Sequence, residues 1–260
     1  MYVKKRFSKV AGLTMALIVG SASLTLVGCK TSGVDMQGML SSGMGLAKAA
    51  SLSDEEMQQI GDQTIAQLDS SNRVASSRSS YARRLEQLTA PWQQVEGVSL
   101  EYKVYMDPEV NAFAVPNGSI RFNSGLLDEM TDNEVRYVIA HEIGHVVLGH
   151  SKKAFQTSYA ASSARQAVAA SGNSAAAALT SSELGDLGEK LINAQFSQHN
   201  ENEADDFAIT LMNESSYNPV AAVSALRKIE SKYGNHRSLF SSHPAAGDRA
   251  DRLAAQLDIR

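Results

Sequence analysis

The sequence predicts an α+β fold that is mostly helical, with a small antiparallel-edged sheet placed directly before one long buried helix. Three observations carry this expectation. Val135, Val138, Ile139, Ile143, Val146 and Val147 recur at helical spacing within residues 131–150, which describes a buried helix stripe rather than a strand's alternation. Leu100 to Met106 alternates with period two, and Ser119 to Asn123 returns as a strand after the turn Pro116-Asn117-Gly118. Beyond residue 150 the pattern is almost wholly helical.

Taken in order, the chain opens with Lys4, Lys5, Arg6 and Lys9 ahead of an apolar run from Ala11 to Val27. A charged start, a short apolar core broken by Gly and Ser, and small residues before the break describe a signal peptide over residues 1–28. The run is too interrupted for a comfortable membrane span. Leu26-Val27-Gly28-Cys29 resembles the lipobox of bacterial lipoproteins, which implies acylation of Cys29 with fatty acids such as palmitate. Lys30 after the Cys implies, by the same resemblance, sorting to the outer membrane. Cys29 is the only cysteine, so no intrachain disulfide is possible. The chain carries a net charge of −4, and the signal holds four basic and no acidic residues, so the remainder carries −8. That balance argues against nucleic acid as a partner and against electrostatic adhesion to anionic lipid.

Residues 29–52, rich in Gly, Ser and Met, read as a lipidated flexible tether. A single domain over residues 53–260 follows, long enough to bury one good core. Ser53-Asp54-Glu55-Glu56 is a capping-box start for a helix running to about Leu68. Ser70 to Ser80 is a polar connection, Tyr81 to Leu88 a second helix ended by Pro91, and Gly125 to Met130 a short helix after the sheet. Thr131 and Glu134 cap the long helix, which is expected to run to His150. Lys152 to Leu179, dominated by Ala and Ser, reads as a weakly packed helical hairpin, a partly disordered stretch, or a segment touching membrane or substrate. Gln195 to Met212, Pro219 to Tyr233 and Ala245 to Leu257 read as further helices.

Inside the long helix lies His141-Glu142-Ile143-Gly144-His145. Residues four apart stand one turn above each other, so both imidazoles can share one ion, with the Glu142 carboxylate beside them. The residues alone also allow two satisfied core histidines. A catalytic zinc takes three protein ligands. Gly and His three and six residues past the second histidine would give one known solution, but Leu148 and Ser151 stand there. His150 lies about 150° around a continuous helix from His145 and is expected at the helix's terminal carbonyls. Asn200-Glu201-Asn202-Glu203-Ala204-Asp205 offers the alternative: Glu201 as third ligand, with Asp205 on the same face accepting a hydrogen bond from a ligand histidine. Glu203, about 200° from Glu201, is expected to face elsewhere.

HEIGH, ENEAD, NAFAVPNGSIRFNSGLL and the later His243-Pro244 with Arg249 together resemble the gluzincin-type zinc metallopeptidase family of HtpX, the CAAX prenyl protease, Oma and BepA. The resemblance covers Ser53 to the C-terminus and implies a zincin-like domain with one zinc ion per chain. It implies Glu142 as general base and a catalytic His243 that either stabilises the oxyanion or binds zinc as an inhibitory fourth ligand. Arg249 is expected to position the loop or bind a nearby carboxylate. The strand at Asn111, Ala112, Phe113 and Ala114 would take an extended substrate by strand addition, although on sequence Phe113 reads as core.

The expected function is a lipid-anchored zinc endopeptidase of the bacterial outer membrane, its catalytic domain facing the periplasm and cleaving unfolded or misassembled envelope proteins. Expected partners are those substrates, the membrane through the lipid, and other envelope proteases or assembly machinery. A metal-stabilised periplasmic chaperone or assembly factor with gated or secondary proteolysis is the competing class.

Overall fold

The computed structural model describes residues 52–166, 179–234 and 243–259. The signal peptide, Cys29, nearly all of the tether and the second half of the Ala/Ser-rich segment lie outside the described residues. The first helix, α1 (Asp54–Ser71), starts where the capping box places it. Ser53 Oγ accepts the Glu56 N–H at 3.1 Å and Glu56 Oε2 accepts the Ser53 N–H at 2.8 Å. Ser79 caps α2 (Ser80–Thr89), which ends in a 3₁₀ turn at Ala90–Trp92, with Pro91 unable to continue the helix. The strands β1 (Gln94–Val95) and β2 (Val98–Ser99) form a hairpin over Glu96 and Gly97, both at positive φ, the backbone that tight two-residue hairpins require.

Three strands follow: β3 (Glu101–Tyr105), β4 (Ala112–Ala114) and β5 (Ser119–Asn123). The sheet order is β3-β5-β4, with β5 parallel to β3 and antiparallel to β4. β4 is therefore an edge, and β5, buried at all five residues, is the centre. Ile120 and Phe122 face the main core, while Arg121 points the other way and is fully buried. Its charge is met by Asp69 from the end of α1, at 2.9 and 3.0 Å, and by Glu101 at 2.8 Å. Asp69 also accepts hydrogen bonds from Lys103 Nζ and Tyr105 Oη, each at 2.8 Å. One carboxylate thus ties α1 to two strands.

After the short α3 (Ser124–Glu129) comes α4 (Asp132–Val147), capped by Thr131 and Glu134 as the sequence predicts. It stops three residues earlier than expected. Gly149 adopts φ +77°, a left-handed conformation that terminates a helix, and His150 begins a new helix, α5 (His150–Gln166). The first half of the Ala/Ser-rich segment is thus helical, and Phe155 and Tyr159 are buried with Met57, Leu187 and Leu191. Helix α6 (Ser181–Ile192) was not assigned from sequence, although Thr180 and Glu183 form a capping box and Leu184, Leu187 and Leu191 are its buried face. Helices α7 (Gln198–Glu214), α8 (Ala221–Tyr233) and α9 (Ala246–Gln256) begin one to three residues later than their sequence patterns suggest. No helix among the described residues is long and apolar enough to cross a membrane. The main core joins Val135, Ile139 and Ile143 of α4 to Ile120 and Phe122 of the sheet, Ala208 and Met212 of α7, Leu226 of α8 and Leu253 of α9.

Burial alone would raise the pKa of Asp69, but its bonds to Arg121, Lys103 and Tyr105 prevail and hold it below the ordinary value. A depressed carboxylate pKa contributes stability above the unfolded-state pKa, and that contribution is lost as pH falls. Asp69→Asn is therefore expected to lower the unfolding free energy by about 1–3 kcal/mol at neutral pH. The gap to wild type should narrow on acidification through the carboxylate range. Urea titrations at neutral and acidic pH check this, and a gap that stays constant in acid contradicts it.

Candidate metal centre

Helix α4 presents His141 and His145 one turn apart, and α7 packs along it more extensively than any other element pair among the described residues. A small residue on each side allows this approach. A Cβ built on Gly144 would stand 3.2 Å from both the Cα and the carbonyl oxygen of Ala204. Glu201 and Asp205, flanking Ala204, are thereby brought against the histidines that flank Gly144. His141 Nε2 and His145 Nε2 face each other at 3.0 Å, and Glu201 lies 3.4 Å from the first and 3.5 Å from the second. His243, just before α9, adds Nδ1 at 3.3 Å from His141 Nε2 and 3.0 Å from Glu201 Oε1. These four side chains, all less than a tenth exposed, form the group able to hold a metal ion among the described residues.

Carboxylate and guanidinium groups surround that inner set. Asp205 Oδ1 lies 2.9 Å from His141 Nδ1, the contact that the four-residue spacing from Glu201 predicts. Arg249, buried on α9, donates from Nε to Asp205 Oδ2 at 2.9 Å and from Nη2 to Oδ1 at 2.6 Å. Its Nη1 lies 2.5 Å from Glu201 Oε2. Arg249 thus binds carboxylates, one of the two roles expected for it. Tyr137 donates its hydroxyl hydrogen to Asp205 Oδ1 at 2.6 Å. Sequence reasoning missed Tyr137, although it stands four residues before His141 and so shares its helix face.

Glu142 is buried beside this group, with Oε1 3.4 Å from His243 Nε2. His150 is not at the terminal carbonyls. The turn at Gly149 carries its Nδ1 to 3.1 Å from His145 Nδ1. Glu203 faces away from the four-residue group, as expected, but reaches His150 Nε2 at 3.3 Å. Phe196 stacks on the His145 ring, with centroids 4.0 Å apart. At the sheet, Asn111, Ala112 and Phe113 are buried and Ala114 is half-buried. Phe113 packs with Ile65, Leu68, Tyr105 and Val115, a core position. The alternating antiparallel pattern, with Asn123 N–H bonded to Asn111 O and Val115 N–H to Ser119 O, turns the peptide groups of Ala112 and Ala114 away from β5, and the Ala112 N–H donates to Asn111 Oδ1 at 2.9 Å.

The electrostatics suit a cation. Burial would raise Glu201, but the charges of Arg249 and His243 hold it well below the ordinary range. Burial drives His145 well below its usual value, leaving a neutral imidazole with a free lone pair. Burial and Arg249 disfavour protonated His141, yet bonds to Asp205 and Glu201 prevail and push it up to about 9. A metal ion would therefore displace a proton from this cluster, and its affinity would fall as pH falls. Glu201 Oε2 is buried without a directed hydrogen bond, although Arg249 and His141 lie near it. The Glu201 carboxylate thus meets His141 through Oε2 and both His145 and His243 through Oε1, a buried donor set that fits a divalent cation.

The profile of peptidase family M48 matches residues 77–257, a stretch that includes all of these side chains. The chain is 42% identical to metalloprotease LoiP of Escherichia coli over 245 residues, covering 92% of this chain and 96% of that one. It is 40% identical to metalloprotease YcaL of the same organism over 248 residues, covering 93% and 97%. It is 29% identical to the mitochondrial metalloendopeptidase OMA1 of Arabidopsis thaliana over 175 residues, 65% of this chain and 34% of that one.

The geometry predicts a graded response at α7. Glu201→Ala should lose most bound metal, whereas Asp205→Ala should weaken affinity by about 10–100-fold, as loss of an outer partner does. Elemental analysis after dialysis separates the two, and full metal content in Glu201→Ala would contradict the ligand assignment.

Proposed function

The chain belongs to peptidase family M48, and we propose that it is a zinc-dependent endopeptidase, anchored by lipid in the bacterial envelope, that cleaves unfolded or misassembled envelope proteins. The observation that carries the catalytic part is the buried convergence of His141, His145, Glu201 and His243 with Glu142 alongside, on a helix that packs against the edge strand β4. Imidazole and carboxylate donors suit zinc. Donor atoms on a tetrahedral zinc are about 3.3–3.4 Å apart, and one ligand atom from each of these four side chains lies within 4.8 Å of all the others.

Zinc bound there supplies Lewis acidity, which polarises a carbonyl and acidifies water. The protein's own groups do the rest. Burial pushes the Glu142 carboxyl above its ordinary value, against the pull of His243 and His141. Glu142 can therefore take a proton from the attacking water and return it to the leaving amine. Asp205, held by Arg249 and Tyr137, keeps His141 oriented with its outer nitrogen engaged. The outward peptide groups of half-buried Ala114 can pair with an extended substrate, whatever its side chains, which suits unfolded proteins, whereas the Ala112 N–H is held by Asn111 Oδ1.

His243 touches both Glu201 and Glu142. It would either hold the ion as a fourth ligand, which would silence the resting enzyme, or stand beside the centre and stabilise the developing oxyanion. The fourth-ligand role would also favour the second reading, an assembly factor or chaperone whose proteolysis is gated. The envelope address rests on the signal-like residues 1–28 and on Cys29, with proteases or assembly machinery of the same compartment as further partners.

Glu142→Gln is expected to retain zinc and the fold while cleavage of unfolded casein falls by at least about 100-fold. Near-normal hydrolysis by this variant would remove the catalytic reading, and chelator-insensitive activity would remove the metal. Cys29→Ser should move the protein from membranes to the soluble fraction, because the acyl chains supply the attachment. A variant that still fractionates with membranes would contradict the lipid anchor.

A further inference from the structure

We infer that His150, backed by Glu203, is a positioning residue for the metal centre, accepting the outer N–H of His145 and fixing which nitrogen of that ring faces the ion. The inference rests on the metallopeptidase reading of the same centre. His145 turns Nε2 toward Glu201 and His141, so the nitrogen left for an outer partner is Nδ1. A metal-bound imidazole carries its proton on that outer nitrogen and needs an acceptor for it. For His141 the acceptor is the buried carboxylate of Asp205 at 2.9 Å. Among the described contacts of His145 the corresponding group is His150 Nδ1 at 3.1 Å. If that atom accepts, the proton of His150 sits on Nε2, which points to Glu203 Oε2 at 3.3 Å. One tautomer therefore satisfies both contacts.

Phe196 explains why such a partner is required. Its ring lies 4.0 Å from that of His145 at an interplanar angle of 25°, which holds the plane of the imidazole but not its sense. A half-turn within the same plane would exchange nitrogen for carbon at the metal position. An acceptor at the Nδ1 side distinguishes the two orientations, and His150 is the group placed there. Its position depends on the left-handed Gly149, which separates α4 from α5 and returns His150 to the metal helix.

The test measures zinc affinity by chelator competition, together with casein cleavage, on the full-length protein. His150→Leu fills the space without an acceptor and is expected to weaken zinc binding by about 10–100-fold. His150→Asn, whose Oδ1 takes the place of Nδ1, should restore affinity to within about threefold of wild type. A role in packing alone reverses that order. Glu203→Ala, on a half-exposed side chain that does not endanger folding, should weaken affinity by about threefold to tenfold. Wild-type affinity in His150→Leu, an Asn variant as weak as Leu, or unchanged affinity in Glu203→Ala overturns the inference. If wild type binds zinc and cleaves casein while these variants match it, only the positioning role falls. A wild-type protein that binds no zinc removes the metallopeptidase reading as well.

Discussion

The close crossing of α4 and α7 at Gly144 and Ala204 is the constraint on which the centre depends. A side chain at Gly144 would meet the backbone of Ala204 and the Phe207 ring at 3.2 Å, tighter than ordinary van der Waals contact. With no side chain there, the helices approach until His141 and His145 on one meet Glu201 and Asp205 on the other. The histidines and the carboxylates lie three residues or fewer from the contact point, so the crossing sets their mutual distance directly.

Closing the helices this way buries two carboxylates, an arrangement that is unstable unless their charge is met. Arg249 meets it from α9, reaching both Asp205 and Glu201. The same helix begins just after His243, so the element that neutralises the acidic pair also delivers the fourth donor. The apolar faces of α8 and α9 join the main core with α4, which fixes Arg249 and His243 relative to the HEIGH helix. On the sheet side, Asp69 and Arg121 hold β5 against α1, and the edge strand β4 packs on α4. The fold thus sets the donor-bearing helix α4 directly against the sheet's edge strand.

Much of this was legible in the sequence because it is local. HEIGH states its own geometry through helical period, and the four-residue step from Glu201 to Asp205 does the same on α7. Arg249 was legible only as a neighbour of something acidic; its partners come from a helix more than forty residues earlier in the chain. His150 was misplaced because its angle was counted along a continuous helix, and Gly149 breaks that count. The glycine was the available signal, since Gly two residues past the last helical residue is a common helix ending. Helix α6 went unassigned although Thr180, Glu183 and its three leucines declare it. The parallel pairing of β3 with β5 has no sequence signature at this length. Register between strands separated by a third is decided by packing and by the buried Arg121 pair.

X-ray absorption on the zinc-loaded protein tests the central claim most directly, because it reports the ligand shell without reference to activity. The account predicts nitrogen and oxygen donors only, with the outer-shell scattering of imidazole rings from His141, His145 and His243 and a carboxylate oxygen from Glu201. A sulfur donor, or a shell of water oxygens without imidazole scattering, would contradict a centre built at the crossing of α4 and α7.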